Sequence, residues 1–368
     1  MNIGIPREIT HQEYRVSLTP DGVRAFHDSG HRVFVEHNAG SGCSIPDEDY
    51  LNAGATILDT PEELYSVSNM IYKVKEPLAQ EYDLLQKDQI LFAFLHLAAH
   101  TSLTTALLER GVTAIAFETI QRADGHLPLL EPMSEIAGRL SVQEGSRYLE
   151  KIHGGRGILL GGIPGVERGT VTIIGGGTVG KNAALIARGM GARVFILDID
   201  KSRLQYLDSL FGSNVDTLFS TQENVFKCLR IADLVIGAVL VPGASAPKIV
   251  KRKDLGIMKP ASVVVDVAVD QGGCFETSRP TYHDDPVFLL DGIIHYCVAN
   301  IPGIVPVTST LGLAGATLPY ALKIASLPLK DALKDASIAK GVNVYKGSIT
   351  HPALASSLSL PYTQIEVE

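Results

Sequence analysis

The sequence predicts an α/β protein of two domains, one inserted into the other. Three observations predict it. The chain has 368 residues, against ~150 for a common single domain, so it can bury two separate cores. Short runs rich in Val and Ile alternate with helical patterns, the rhythm of parallel sheets covered by helices. A second continuous series of such runs begins near residue 171 and ends near 300, behind a long helix and a glycine-rich connection.

In order, NIGIP, RVFVE, ATIL, MIYKVK, ILFAFL and TAIAFE are expected to be strands of the first third. DGVRAFHDSG, between the first two, has the pattern of a helix that starts at Pro20-Asp21 and stops at Gly30. Residues 133–153 have the pattern of a long amphipathic helix, since Ile136, Leu140, Val142 and Tyr148 recur near helical spacing. The segment GGRGILLGGIPGVERG is expected to be a loop that delivers the chain to the strand VTII at 171–174. RVFILD, VDTLFS, LVIGAVL, SVVVDVAV and IHYCVAN follow, with helical stretches between several of them, as in a doubly wound nucleotide-binding domain. The last segment holds another helix and too little apolar sequence for a core of its own, so it is expected to return to the first domain. The expected domains are residues 1–129 with 306–368, and an insert over 130–305.

Composition narrows the function classes. Hydrophobic residues at 45% and charged residues at 20% indicate a globular chain. A net charge of −8 argues against a nucleic-acid or anionic-membrane partner. Cys43, Cys228, Cys274 and Cys297 include no pair at CxxC spacing, so no metal site is expected, and unpaired thiols fit a reducing, cytoplasmic compartment. The start, MNIGIPREITHQEYR, lacks the apolar stretch of a signal peptide. Ile301 to Leu322 carries no charged residue and has the length of a membrane span, ~20 residues. Its Pro302, Pro306 and Pro319, four hydroxyl residues and lack of a preceding basic cluster favour a buried helix entered through a proline turn.

VTII runs into Gly175-Gly176-Gly177-Thr178-Val179-Gly180 and then the helical KNAALIARGM. This is G-x-G-x-x-G between a strand and a helix. Gly175 permits the turn, Gly177 lets the backbone approach a pyrophosphate, and Gly180 lets helix and strand pack closely. The free N–H groups and positive end of the helix face the phosphates. A second strand ends at Asp198, 18 residues beyond Gly180. A carboxylate there bonds ribose hydroxyls and repels a 2′-phosphate, which favours NAD over NADP. Arg203, which could accept a 2′-phosphate, tempers that preference without reversing it. The insert is thus expected to be a Rossmann-type NAD-binding domain, beside a split α/β substrate domain.

Four polar positions set against apolar runs are candidates for chemistry. Arg15, in EYRVSLTP, could grip a carboxylate with two parallel hydrogen bonds; on residue type alone a surface ion pair is the commoner role. Lys73 and Lys75 share one face of MIYKVK, and the sequence does not rank a cleft above a solvated edge for them, although Lys75 lies nearer the strand end marked by Pro77. His96 interrupts ILFAFLHLAA, where an imidazole could carry protons near neutral pH or be a satisfied core residue; His100 is a possible decoy. Asp266 and Asp270 both lie on or after SVVVDVAV. Asp270, beside Gln271-Gly272-Gly273, is the better candidate for a crevice at strand ends, against a plain turn residue.

Together, PREITHQEYRVSLTP, KVKEP, LHLAA, EPMSEIAGR, GGGTVG, DVAVDQGGCFETSRPT and HYCVANIPG resemble the L-alanine dehydrogenase family, in the same order and over nearly the whole chain. The resemblance implies an NAD-dependent oxidation of L-alanine to pyruvate and ammonium and its reverse, in a homo-oligomer, often a hexamer. It implies that Arg15 and Lys75 bind substrate and that His96 and Asp270 are catalytic. It places Ser134, Thr178, Asp198, Arg203, Ser220, Val239, Leu240, Val267, Arg279, Val298, Asn300 and Ile301 where the family contacts the cofactor. Val307 stands where many relatives carry arginine, and Ser245 replaces a usual lysine. Three alternatives stay open: the NAD-binding component of a proton-translocating transhydrogenase, a family that does not keep residues like His96 and Asp270; a non-catalytic NAD-binding module or sensor; and a dehydrogenase of another small 2-amino acid.

Overall fold

The computed structural model of the chain describes residues 1–239 and 246–365; Leu240 and Ser245 lie outside the described residues. The chain forms two compact units, Met1–Met133 with Gly303–Glu368, and Ser134–Pro302.

In the first unit, β1 (Asn2–Ile5), β2 (Arg32–Glu36), β3 (Thr56–Leu58), β4 (Met70–Tyr72), β5 (Ile90–Ala93) and β6 (Thr113–Ala116) form a parallel sheet in the order β3-β2-β1-β4-β5-β6. Its inner strands are buried at every position of β4, β5 and β6. That is why they read as unbroken apolar runs rather than alternating ones. Leu64, Ile71, Leu91, Leu103 and Leu107 belong to the core of this unit. Two strands are shorter than their apolar runs. β4 stops at Tyr72 and β5 at Ala93, although pairing continues loosely through Lys73 N–H to Phe92 O (3.1 Å) and Phe94 N–H to Val74 O (3.1 Å). The last residues of both runs, Lys75 and His96 among them, therefore leave the carboxyl edge of the sheet as loops.

In the second unit, β7 (Thr170–Ile174), β8 (Arg193–Asp198), β9 (Asp216–Phe219), β10 (Leu234–Gly237), β11 (Val263–Asp266), β12 (Val287–Leu290) and β13 (Ile293–Tyr296) form a sheet in the order β9-β8-β7-β10-β11-β13-β12. Only β12 is antiparallel, paired with β13 at the edge; this strand was not evident in the sequence. Ile174, Leu197, Val235, Val264 and Phe275 lie in the core. The helix expected over 133–153 spans Glu131–Tyr148. Pro132 fits its first turn, where no N–H partner is needed. At the far end the chain leaves through a short turn, Lys151–His153, that closes on Gly154 with φ 87°, so the helix ends at Tyr148, five residues short of the expected 153.

The chain then returns to the first sheet as the helix Pro306–Ser326 and the strands β14 (Val342–Tyr345) and β15 (Ser348–Ile349). β14 pairs antiparallel with β6, and β15 with β14. The helix starts at Pro306, and its buried Thr310 and Thr317 are satisfied inside the protein. Thr310 accepts the Val16 N–H (3.1 Å), and Thr317 donates to Leu313 O (2.8 Å) and bonds the Tyr72 hydroxyl. No described helix is long and apolar enough to cross a membrane.

Both sheets reverse direction beside their first strand, at β1/β4 and β7/β10. In doubly wound sheets, ligands bind beyond the carboxyl ends of the strands at that point.

Candidate active site

The glycine turn follows β7 at the reversal point of the second sheet. Gly175 has φ 104°, a conformation that L side chains rarely adopt. A methyl group on Gly180 would land on the Gly175 carbonyl oxygen, whereas one on Gly177 would meet nothing within 4 Å. The turn is thus packed tightly behind and open in front. Gly177 precedes the helix Thr178–Gly189 without any side-chain cap, so the first N–H groups of that helix are left for a ligand. Asp198, at the end of β8, accepts the Gly176 N–H (2.6 Å) and the Asp200 N–H (2.9 Å). Arg203 donates to the Gly176 carbonyl oxygen and lies over the Tyr206 ring at 4.8 Å. Its guanidinium is therefore engaged in holding the turn. An open glycine, an uncapped helix start and a carboxylate at the neighbouring strand end fit a dinucleotide.

The other expected cofactor contacts of this unit surround the same sheet edge. Ser220 follows β9 and donates its N–H to Asp198 O (2.9 Å). Val239 follows β10 and Val267 follows β11, with Val267 N–H bonded to Gly237 O (2.9 Å). Ser134 lies in the first turn of the helix Glu131–Tyr148. Arg279 is exposed and rests on the Phe288 ring at 4.3 Å. Val298 and Ile301 have buried side chains, so their exposed chemistry is that of the backbone. Asn300 adopts φ 66°, and its carbonyl oxygen bonds His283 Nε2 at 3.2 Å.

The two aspartates after SVVVDVAV separate clearly. Asp266 is fully buried and accepts from Ala268 N–H (3.1 Å), Phe275 N–H (3.3 Å) and the Ser278 hydroxyl (2.5 Å). It holds the loop together. Asp270 sits in the turn Val269–Gln271 and is exposed. The loop behind it is pinned by Lys248, which donates to the carbonyls of Gly272, Gly273 and Phe275.

In the first unit the two lysines also separate. Lys73 is buried, paired with Glu81 and 3.8 Å from Glu8. Lys75 is half-buried, and its ammonium forms no ion pair among the described residues. Glu8 links the region: its Oε1 accepts the N–H of Val74 (2.6 Å) and of Lys75 (3.3 Å). Arg15 is buried, and Glu13 takes one edge of its fork, with Nε to Oε1 at 2.6 Å and Nη2 to Oε2 at 2.5 Å. Nη1 points to Met133 Sδ at 3.1 Å.

His96 has φ 46°, left-handed for a residue with a side chain. Glu118, just beyond β6, accepts its N–H at 2.7 Å and that of Leu95 at 3.3 Å. The ring stacks on Phe94 at 6.0 Å, and 41% of the side chain is accessible. Its Nδ1 lies 3.7 Å from Glu76, whose other oxygen is 3.5 Å from His100. Desolvation disfavours the imidazolium, but Glu118 and Glu76 outweigh it and hold the His96 pKa above its usual value. Glu8, Glu13, Glu76 and Glu118 escaped notice in the sequence. Their signal is an acidic residue within a few positions of an apolar strand end, which is weak because such residues more often face water.

Fold and site thus define an α/β protein of two units, one with a glycine turn whose geometry fits a dinucleotide and the other carrying Arg15, Lys75 and His96. The chain belongs to the alanine dehydrogenase/PNT family: residues 4–137 match its N-terminal domain and residues 141–352 its C-terminal domain. An alanine dehydrogenase of Methanococcus maripaludis is 53% identical over 368 residues, which is 100% of this chain and 99% of the relative. Among solved structures, an L-alanine dehydrogenase superposes with a TM-score of 0.94 at 51% identity, covering 98% of this chain and 99% of the other. A transhydrogenase from Sinorhizobium meliloti gives 0.82 at 25% identity, covering 96% and 100%.

Proposed function

We propose that this protein oxidises L-alanine to pyruvate and ammonium with NAD+ and catalyses the reverse reductive amination. What supports this is full-length identity of 53% to an alanine dehydrogenase, together with Lys75 and His96 following the adjacent parallel strands β4 and β5 and Arg15 lying in the segment after β1, the other neighbour of β4.

Arg15 binds the substrate carboxylate, and Glu13 keeps the guanidinium fixed. Lys75 binds the carboxylate or the oxygen of the forming carbonyl. His96 takes and returns protons as water adds to the substrate imine and ammonia leaves. Asp270 orients the amine or the water and offsets the positive charge of the imine. The glycine turn and Asp198 would hold NAD+, which when bound would be the hydride acceptor for the oxidation. Ser134, Thr178, Ser220, Val239, Leu240, Val267, Arg279, Val298, Asn300 and Ile301 complete its binding surface. Fixing the reacting groups in one geometry lowers the barrier by up to ~7–11 kcal/mol in well-oriented systems. The working form is a homo-oligomer, a hexamer by family resemblance, in the cytoplasm.

The test is NADH absorbance with alanine and NAD+, then with other 2-amino acids. Turnover highest with alanine is expected; equal or greater turnover with another amino acid would reassign the substrate. His96→Ala should lower kcat about a hundredfold or more, and a variant as active as the parent would remove His96 from proton transfer. Sedimentation velocity reads the assembly, where a monomer would refute the oligomer.

A further inference from the structure

We propose that Glu118 is the positioning residue of the histidine turn: its carboxylate clamps the Leu95 and His96 amides so that His96 stays in a left-handed conformation with its ring beside a fixed negative charge.

The sheet register produces this arrangement. Ala93 of β5 lies opposite Ala116 of β6, so Leu95 and Glu118, each two residues further, emerge side by side at the same edge. A non-glycine residue in the left-handed region is strained and persists only where its surroundings over-determine it. Successive N–H groups that converge form an anion-binding nest. Here the anion is supplied from within: Glu118 receives the His96 N–H at 2.7 Å and the Leu95 N–H at 3.3 Å on each oxygen. The same carboxylate is the strongest electrostatic support of the imidazolium. The other charged groups bearing on the ring are Glu76 and Lys75 from the β4 loop, with His100 on the far side of Glu76. His351, at the start of the helix Pro352–Leu358, faces Glu118. One side chain thus sets both the direction of His96 and its affinity for a proton.

Two variants divide these effects. Glu118→Gln keeps an acceptor for the amides and loses the charge; Glu118→Ala loses both. The proton affinity of His96 is read by NMR of its ring signal, assigned with His96→Asn, and does not depend on which substrate the enzyme uses. Only the kinetic part rests on the proposed reaction. In Glu118→Gln, the His96 pKa should fall by about one pH unit, and the acid limb of kcat/KM for alanine should move down with it while KM stays within twofold. In Glu118→Ala, kcat should fall at least tenfold below that of Glu118→Gln, with KM little changed. A His96 titration unaltered in Glu118→Gln would overturn the proposal, as would equal kcat in the two variants. If Glu118→Ala does not fold, the titration of Glu118→Gln decides alone. If the parent does not oxidise alanine, the NMR titration still judges Glu118 separately from the reaction.

Discussion

Two glutamates flank Lys75 with opposite proton affinities, and the contrast comes from their surroundings. Burial pushes the Glu8 carboxyl up to about 7, against the pull of Lys73. Burial also works against the Glu76 charge, but His96 and Lys75 outweigh it and hold its pKa at about 2. A carboxyl whose pKa is raised on folding binds protons more tightly in the native state. Glu8 therefore contributes stability at low pH that is lost as pH rises from about 4.5 to about 7. Glu8→Gln removes this dependence, while Lys73 keeps Glu81 as its partner. The Tm of Glu8→Gln relative to the parent should rise by a few degrees between pH 5 and pH 8, reflecting up to ~3 kcal/mol. A difference that stays constant with pH would show that Glu8 does not titrate in this range. For Arg15, the fork on Glu13 makes the guanidinium irreplaceable by a point charge. Arg15→Lys should raise KM for alanine about tenfold with kcat less affected, and an unchanged KM would take Arg15 out of the substrate site.

At the scale of elements, the strands were legible where side-chain chemistry alone specifies them. The runs in the first sheet and the six parallel strands of the second were visible as apolar runs, most plainly in β4, β5, β6, β7, β10 and β11, where every position is buried. β12, β14 and β15 were not: β12 and β15 are edge strands, with Leu289 in β12 70% exposed and β15 only two residues long, while β14, buried between β15 and β6, is four residues with Asn343 in its middle. The β14–β15 turn, Lys346-Gly347, has φ 48° and 74°, the two-residue geometry that joins antiparallel strands. The glycine turn was legible because it is specified by the absence of side chains. Gly180→Ala should push the helix Thr178–Gly189 away from β7 and weaken NADH binding ten- to a hundredfold, the equivalent of an overpacking cost of ~1–3 kcal/mol. Fluorescence titration with NADH checks this, and parental affinity would mean that the helix can shift without disturbing the turn.

For the whole molecule, a ligand that binds only the folded chain raises its stability by mass action. NADH at a hundred times its Kd should stabilise the protein by ~2.7 kcal/mol, seen as a higher Tm. NADPH at the same concentration should do less, because Asp198 at the end of β8 would face the extra phosphate. Equal shifts from the two cofactors would mean that Arg203 leaves the Gly176 carbonyl to receive that phosphate. The same comparison in Gly180→Ala should show a reduced shift, which ties the effect to the turn.

The sequence by itself determined the α/β class, the family, the glycine turn and the acidic residue behind it, because apolar periodicity and glycine spacing act over a few neighbouring residues. It also marked Arg15, His96, the Lys73–Lys75 pair and the Asp266–Asp270 pair as places where polar groups interrupt apolar runs. Only the tertiary structure decided that Lys73 is locked between Glu81 and Glu8 while Lys75 has no ion pair among the described residues, and that Asp266 is consumed by its loop while Asp270 is exposed. It alone showed Glu13 on Arg15 and Glu118 beneath His96. Those outcomes depend on strand register and on burial, which bring together groups up to tens of residues apart, and no local pattern encodes which charges will meet.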